Sequence, residues 1–411
     1  MTVRKAGATE WLSSAGVTGP QGSSITGPTG PQGITGPSAS SPNITTVASS
    51  GADFTTVSAA LAAGNSILSL SGTVTEIANS TTPTGGAKIF LEHSSIWDRG
   101  DFIITLSAAS DILSICGNAR SATMTYTYTV AKKSIQGPNG ATVVIDNIVI
   151  NNTSSAASTE IAEDDLNQTV QNCAWNLPNF SNCGMRLAST FKVGFIENTT
   201  LNGGGNSCNF LIVQTGGSIT IRNIRLEGST FGSGFLIDYS VGANVSGINY
   251  SGTSPISLDF GSNGYVTDIF GSGVSLTLSS NIELTTFRLS SSSNGTINFG
   301  TGGHRIANGS CRGLNLNSSN VSQISNVDVF TGGITSALGN FNRLNNVRSR
   351  NSFTIGGRSS SANDCVVGNT QTVTTGTITI DATGTNCHAL GNTATISDGG
   401  TTSVVANNSA M

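Results

Sequence analysis

Apolar and polar residues alternate with a period of two along much of the chain, as in Ser218-Ile-Thr-Ile-Arg-Asn-Ile-Arg-Leu226 and Ser325-Asn-Val-Asp-Val-Phe330. That alternation predicts short strands with one buried face. Within such runs an Asn or Asp followed by an apolar residue recurs: Asn147-Ile148, Asn223-Ile224, Asp268-Ile269, Asn326-Val327, Asn346-Val347, Asp364-Cys365 and Asn386-Cys387, with Ile248, Phe287 and Cys311 as weaker members. Between 224 and 387 the members fall about twenty residues apart, inside the range of known repeat periods. A repeat of this kind predicts a solenoid, in which each turn of chain covers an apolar face that its neighbour cannot bury alone. Strand-like turns exclude helical repeats, and no Leu-x-x-Leu-x-Leu frame marks leucine-rich repeats. The expectation is an all-β chain built as a parallel β-helix, with a sandwich of Gly/Asn-rich strands as the competing arrangement.

A different period occurs once. In Gly51 to Gly64, residues Val57, Ala60, Leu61 and Gly64 follow i, i+3, i+4, i+7 spacing, which predicts a short amphipathic helix near 54–64 opened by a Thr or Asp cap. Ahead of it, glycine falls every third residue: Gly16, Gly19 and Gly22, an interruption from Ser23 to Thr26, then Gly27, Gly30, Gly33 and Gly36, usually followed by Pro. Three polyproline-II chains share a crowded axis that only glycine fits, so this phase predicts a collagen triple helix and a homotrimer. The triplets are too few and too broken to hold three chains unaided, which assigns most of the assembly energy to neighbouring regions. The expected layout is an N-terminal anchor peptide over 1–15, a collagen-like stalk over 16–38, a linker over 39–50, a β-helical head over 51–400 with an insertion near 153–185, and a tail over 401–411. In the anchor, Trp11 and Leu12 are candidates for an apolar plug into a socket on a particle protein.

Composition agrees with this layout. Charged residues make up 10% of the chain and glycine numbers 51, while Val, Ile, Thr and Phe suit pleated strands closed by Gly and Asn turns. The net charge is −4 with 18 Lys plus Arg, and no basic stripe stands out along the sequence, so no nucleic-acid footprint is expected. No apolar signal-peptide core opens the chain and no run of eighteen apolar residues occurs, so synthesis in a cytoplasm without membrane insertion is expected. Seven widely spaced cysteines without a CxxC pair argue against a disulfide framework or a zinc knuckle; Cys173 and Cys183 are the one pair worth testing for a bond.

Candidate chemistry is sparse. Glu160, Glu163, Asp164 and Asp165 cluster in the insertion, where they can ligate calcium through oxygen but read best as a solvated acidic loop. His93 and Asp98 lie close enough in sequence for acid/base work, though a surface histidine is the simpler reading; His304 and His388 complete the histidines. Arg99-Gly100-Asp101 spells an integrin-type tripeptide but runs straight into the strand-like Phe102-Ile103-Ile104. Sequons such as Asn198 and Asn308 follow from an Asn-, Ser- and Thr-rich composition. No catalytic, cofactor-binding or metal-binding residue is assigned, and no cofactor is expected.

The segment Gly51-Ala-Asp-Phe-Thr-Thr-Val-Ser-Ala-Ala-Leu61 resembles the start of the pectate-lyase-like β-helix superfamily, where a short helix caps the first coil. The layout of triplets and head resembles trimeric surface fibres of large DNA viruses, phage tail fibres and tailspikes, and collagen-like exosporium filaments of spores. These resemblances imply a right-handed coil and a structural fibre on a virion surface, made in the host cytoplasm and attaching to a host receptor or glycan. They also imply two alternatives: a tailspike-like polysaccharide lyase or glycoside hydrolase, and a bacterial spore or cell-surface filament.

Overall fold

The computed structural model describes residues 44–409 except 119, 164, 179, 181–182, 188–192, 205–211, 215–217, 228–234, 240–242, 252–255, 291–294, 317–321, 336–341, 356, 370–373, 382–385 and 402. The chain divides into two units, Met1–Pro42 and Asn43–Met411. The collagen-like triplets from Gly16 to Gly36 and the anchor pair Trp11 and Leu12 lie in the first unit, outside the described residues.

Among the described residues the strands of the second unit pair in parallel except Val366–Asn369 with Thr374–Thr375, and one column of partners runs from end to end. Thr45 stands beside Leu68, Leu68 beside Ile89, and the column continues through Ile115, Ile145, Val170, Ile196, Ile221 and Val245. It then runs through Val266, Leu284, Ile306, Ile324, Leu344, Ala362 and Ala389 to Val405. At about 4.8 Å per step, sixteen steps make a rod of roughly 75 Å. Among the described residues the chain is all-β apart from the six-residue helix Val57–Ala62, and its long parallel sheet is consistent with a parallel β-helix. Each circuit, or coil, puts alternate residues inside, as in the buried–exposed alternation of Thr45–Val47 and Ile67–Leu70.

Coil length is uneven. Ile115 to Ile145 takes thirty residues and Val266 to Leu284 eighteen, so the spacing of about twenty predicted from 224 onward describes the later coils. Early coils spend the extra residues on a third side, where Ile104–Thr105 pairs with Ser80–Thr81 and Ile135–Gln136. The stretch near 153–185 continues that side: Ser134 donates from its backbone to the Glu160 carbonyl, and Ile161 to the Gly184 carbonyl.

The recurring Asn marks a corner. Asn147, Asn172, Asn198, Asn223, Asp268, Thr286, Asn308, Asn326, Asn346, Asp364 and Asn407 all have φ between 48° and 59°, with Gly247 and Gly391 completing the series. Each lies two residues beyond its member of the ladder column, where the chain turns sharply, often within one continuous strand such as Ser218–Glu227 or Ile256–Ser272. Asn and Asp tolerate this left-handed conformation better than other non-glycine residues. Their amides also bond along the rod: Asn198 Nδ2 donates to Asn172 Oδ1 at 3.2 Å, Asn223 to Asn198 at 3.0 Å, Asn326 to Asn308 at 3.0 Å and Asn346 to Asn326 at 2.9 Å.

Two predicted members sit elsewhere. His388 pairs with Ser361, which sets Asn386 over Ser359 at the corner before the strand; the ladder position of that coil is Gly391. A Cβ at Gly391 would come 2.5 Å from the Asp364 carboxylate, so the coil below dictates glycine. Cys311 is buried opposite Val329, while the slot after corner Asn308 holds Gly309, where a Cβ would meet the Phe287 ring at 2.4 Å. Ile248 and Phe287 follow corners Gly247 and Thr286, in line with the repeat.

Asn326→Ala tests the corner. It places alanine at φ 54° and removes both ladder bonds, for an expected loss of about 2–3 kcal/mol in urea unfolding. Asn326→Gly relieves the backbone term and should recover about half. Equal losses in the two would assign the whole effect to the side-chain bonds.

The helix closes the first coil. Thr56 is its cap, accepting from Ala59 N at 3.2 Å, and Val57, Ala60 and Leu61 are buried. Gly64, which the periodicity placed on the apolar face, lies past the C-cap Ala63 at φ 85°. Glu76 supplies the remaining N-terminal acceptors: its carboxylate takes Val57 N at 2.9 Å and Ser58 N at 3.0 Å.

Candidate functional site

Among the charged residues of the N-terminal coils, Glu76, Arg99, Asp111 and Glu160 are buried. Arg99 is 1% exposed; its guanidinium donates to Ser134 Oγ, to the Ser134 carbonyl at 2.7 Å and to the Phe102 carbonyl at 3.0 Å, and lies 5.4 Å from the Trp97 ring. Burial lowers its pKa from the ordinary arginine value, against Coulombic support from Tyr128, Glu76 and Tyr126. Trp97 Nε1 in turn donates to Glu76 at 2.9 Å, so one buried network joins the cap helix to the third side of the coil. The first member of the Arg99-Gly100-Asp101 tripeptide is therefore inaccessible to a receptor.

The acidic cluster is not uniformly solvated. Glu160 is buried and ion-paired to Lys133 at 3.0 Å, Glu163 accepts from Gly137 N at 3.2 Å, and Asp165 is exposed; Asp164 lies outside the described residues. Among the described residues no three His, Cys, Asp or Glu side chains converge as metal ligands. His93 is exposed and contacts Ser94 Oγ at 2.9 Å, while Asp98 accepts from Gly100 N, so each serves its own turn. His304 is buried against Phe299, and burial lowers its pKa from the ordinary imidazole value.

Neither Cys173 nor Cys183 is in a disulfide. Cys173 fills the slot after corner Asn172 and its Sγ contacts the Gln171 carbonyl, whereas Cys183 lies beside Thr159 on the third side. Burial pushes Cys173 and Cys365 up to about 11, which leaves thiols that pack and do not attack. Cys208 lies outside the described residues.

The face with chemistry to offer lies on the later coils. Between Arg288 and Arg358 the chain carries seven arginines and a single acidic residue, Asp328, although the whole chain is at −4. Strand alternation and register bring part of this set together. Glu283 pairs with Arg305, Arg305 with Gln323, Gln323 with Arg343, Arg343 with Ser361 and Ser361 with His388, one outward column flanked by Ser325, Asn345 and Asn363. Inward neighbours Ile306, Ile324, Leu344, Ala362 and Ala389 hold these strands in place. Two depressions open on this column: one of 390 Å³ lined by Glu283, Arg305 and Gln323, and one of 420 Å³ lined by Arg343, Asn345, Ser361, Asn363 and His388. Around the Asn346 corner a third, of 480 Å³, is lined by Asp328, Phe330, Arg348 and Arg350.

The charges on this face are weakly committed. Arg305 stands 3.7 Å from Glu283 with 68% of its side chain exposed, and Arg348 stands 4.0 Å from Asp328 with 70% exposed. Such exposed pairs contribute about 0–1 kcal/mol, so an incoming anion meets little competition. No basic stripe is legible along the sequence, because Arg305, Arg343 and His388 are about forty residues apart and join only through the ladder; the Arg288–Arg358 excess is the sequence sign of it. No protein-family model, curated protein or solved structure matches this chain.

Proposed function

We propose that the chain is a structural fibre protein that works as a homotrimer on a virion surface, with residues 1–15 docking on a capsid or other particle protein and residues 16–38 forming a collagen-like stalk. The stalk spaces a right-handed β-helical head from the particle, and the head attaches to the host. One observation carries this reading: an unbroken parallel ladder from Thr45 to Val405 follows within ten residues of Gly36, the last phased glycine. A rod whose parallel ladder runs along its axis suits a load-bearing spacer, and a collagen helix formed by the preceding triplets takes three chains.

A second feature supports the trimer. Ile44, Phe90 and Ile112 are exposed on the outer side of the first strands, nearest in sequence to the triplets. Sedimentation equilibrium of the full chain should return three times the monomer mass of 41.7 kDa. A monomer with an intact stalk would overturn the reading. Gold labelling of the head on purified particles should place it at the outer rim, and a label on a spore coat or cell wall in place of a virion would reassign the carrier.

A further inference from the structure

We infer that the outward column Arg305–Gln323–Arg343–Ser361–His388 binds an acidic polysaccharide that carries its negative charges on alternate sugars. The inference rests on the attachment function proposed above and names its ligand class. Arg305, Arg343 and His388 occupy every second rung of the ladder, with uncharged Gln323 and Ser361 between them. Rungs are about 4.8 Å apart, so the nitrogen-rich side chains recur at about 9.6 Å. An extended polysaccharide advances by a similar distance for each pair of sugars, which sets one carboxylate or sulfate against each of these side chains.

Between the charges, the face offers what hydroxyl groups need. Asn345 and Asn363 lie in the adjacent outward column, and Asn363 Nδ2 donates to Asn345 Oδ1 at 3.1 Å, so the two amides present a fixed array of donors and acceptors. Gln323 and Ser361 add further polar groups at the intervening rungs. Gln323 of the 390 Å³ depression pairs with Arg343 of the 420 Å³ depression, so the two lie on successive rungs along the rod. Arginine favours this role because its planar fork matches a carboxylate or sulfate with two parallel bonds.

A polynucleotide fits less well. Recognition of single strands needs aromatic platforms for the bases, and none of the outward positions from Arg305 to Leu390 in these two columns is Phe, Tyr or Trp. The column also contains no lysine, and its charges recur too sparsely for one cation per phosphate.

The test is binding of the full-length protein to hyaluronate, which carries a carboxylate on every second sugar, beside polygalacturonate, neutral dextran and an oligothymidylate. Hyaluronate should bind best and dextran not at all. The double variant Arg305→Ala/Arg343→Ala should weaken hyaluronate binding at least tenfold with an unchanged melting curve. Glu283→Gln, which removes the competing carboxylate 3.7 Å from Arg305, should strengthen it a few-fold. Arg225→Ala, which removes an exposed arginine paired with Glu227 on another strand, should leave it unchanged. Unaltered affinity in the double variant, equal binding of dextran, tighter binding of the oligothymidylate, or binding of none of the four would overturn the inference. Trimer mass and particle location are read separately, so loss of the glycan leaves the fibre function standing.

Discussion

Arg99→Met is expected to unfold the first coils while the later ones stay folded. The substitution keeps an apolar stem of similar length and removes the fork that satisfies Ser134 Oγ, the Ser134 carbonyl and the Phe102 carbonyl. Ser134 is buried and Phe102 half-buried, and Glu76 loses its Coulombic partner while still held by Val57 N, Ser58 N and Trp97 Nε1. Breaking a buried charge network from one side costs about 3–5 kcal/mol. In a solenoid each coil contacts only its neighbours, so the loss should stay local. Hydrogen exchange should show lost protection over residues 67–136 and native protection over 256–349. Arg99→Lys should fall between, since an ammonium restores the charge without the planar pair of bonds. Uniform loss of protection along the rod, or a change below about 1 kcal/mol, would sink this account of the network.

The same network marks where sequence reasoning stops. The recurrence of Asn or Asp before an apolar residue was readable within the strand-like runs, and the structure gives its cause: Asn147, Asn223, Asp268, Asn326, Asn346 and Asp364 all stand at corners of positive φ, which these residue types tolerate. Asn386 has the same backbone conformation at a different corner, so the residue type alone could not separate the two columns. Gly391 and Gly309 were invisible as ladder members because their identity is set by Asp364 and Phe287 one coil below. The cap helix was legible from its own period, whereas its acceptor Glu76 lies beyond the next two strands. Arg99 read as part of a surface tripeptide, and only its position over Trp97 and Ser134 shows it to be internal. The arginine face is the complementary case: each member looks like an ordinary surface cation until the register aligns Arg305 with Arg343 and His388.

Phe90→Glu/Ile112→Glu is expected to convert the proposed trimer to monomers without unfolding the head. Both side chains point away from the core, on strands whose inward residues Ala87, Ile89, Leu91, Leu113 and Ile115 are buried, so the substitutions leave the interior untouched. Phe90 is 41% exposed, Ile112 50% and Ile44 56%, and Ile44 and Phe90 line a shared depression of 390 Å³ with Ser69 and Cys116. Burying one such side chain contributes about 1.5–3 kcal/mol when it is fully covered, and a three-fold assembly repeats each contact three times. In the proposed trimer, seven broken glycine triplets supply too little to hold three chains, so most of the assembly energy has to come from the second unit, and this face exposes Ile44, Phe90 and Ile112 within its first coils. Sedimentation at micromolar concentration should therefore give a single 41.7 kDa species for the double variant, with the β-sheet circular dichroism of the parent. Val130→Glu, at a residue 57% exposed on a loop outside this strand face, should remain trimeric. A trimeric double variant would move the contact elsewhere on the head, and a monomeric parent would remove the need for any such face.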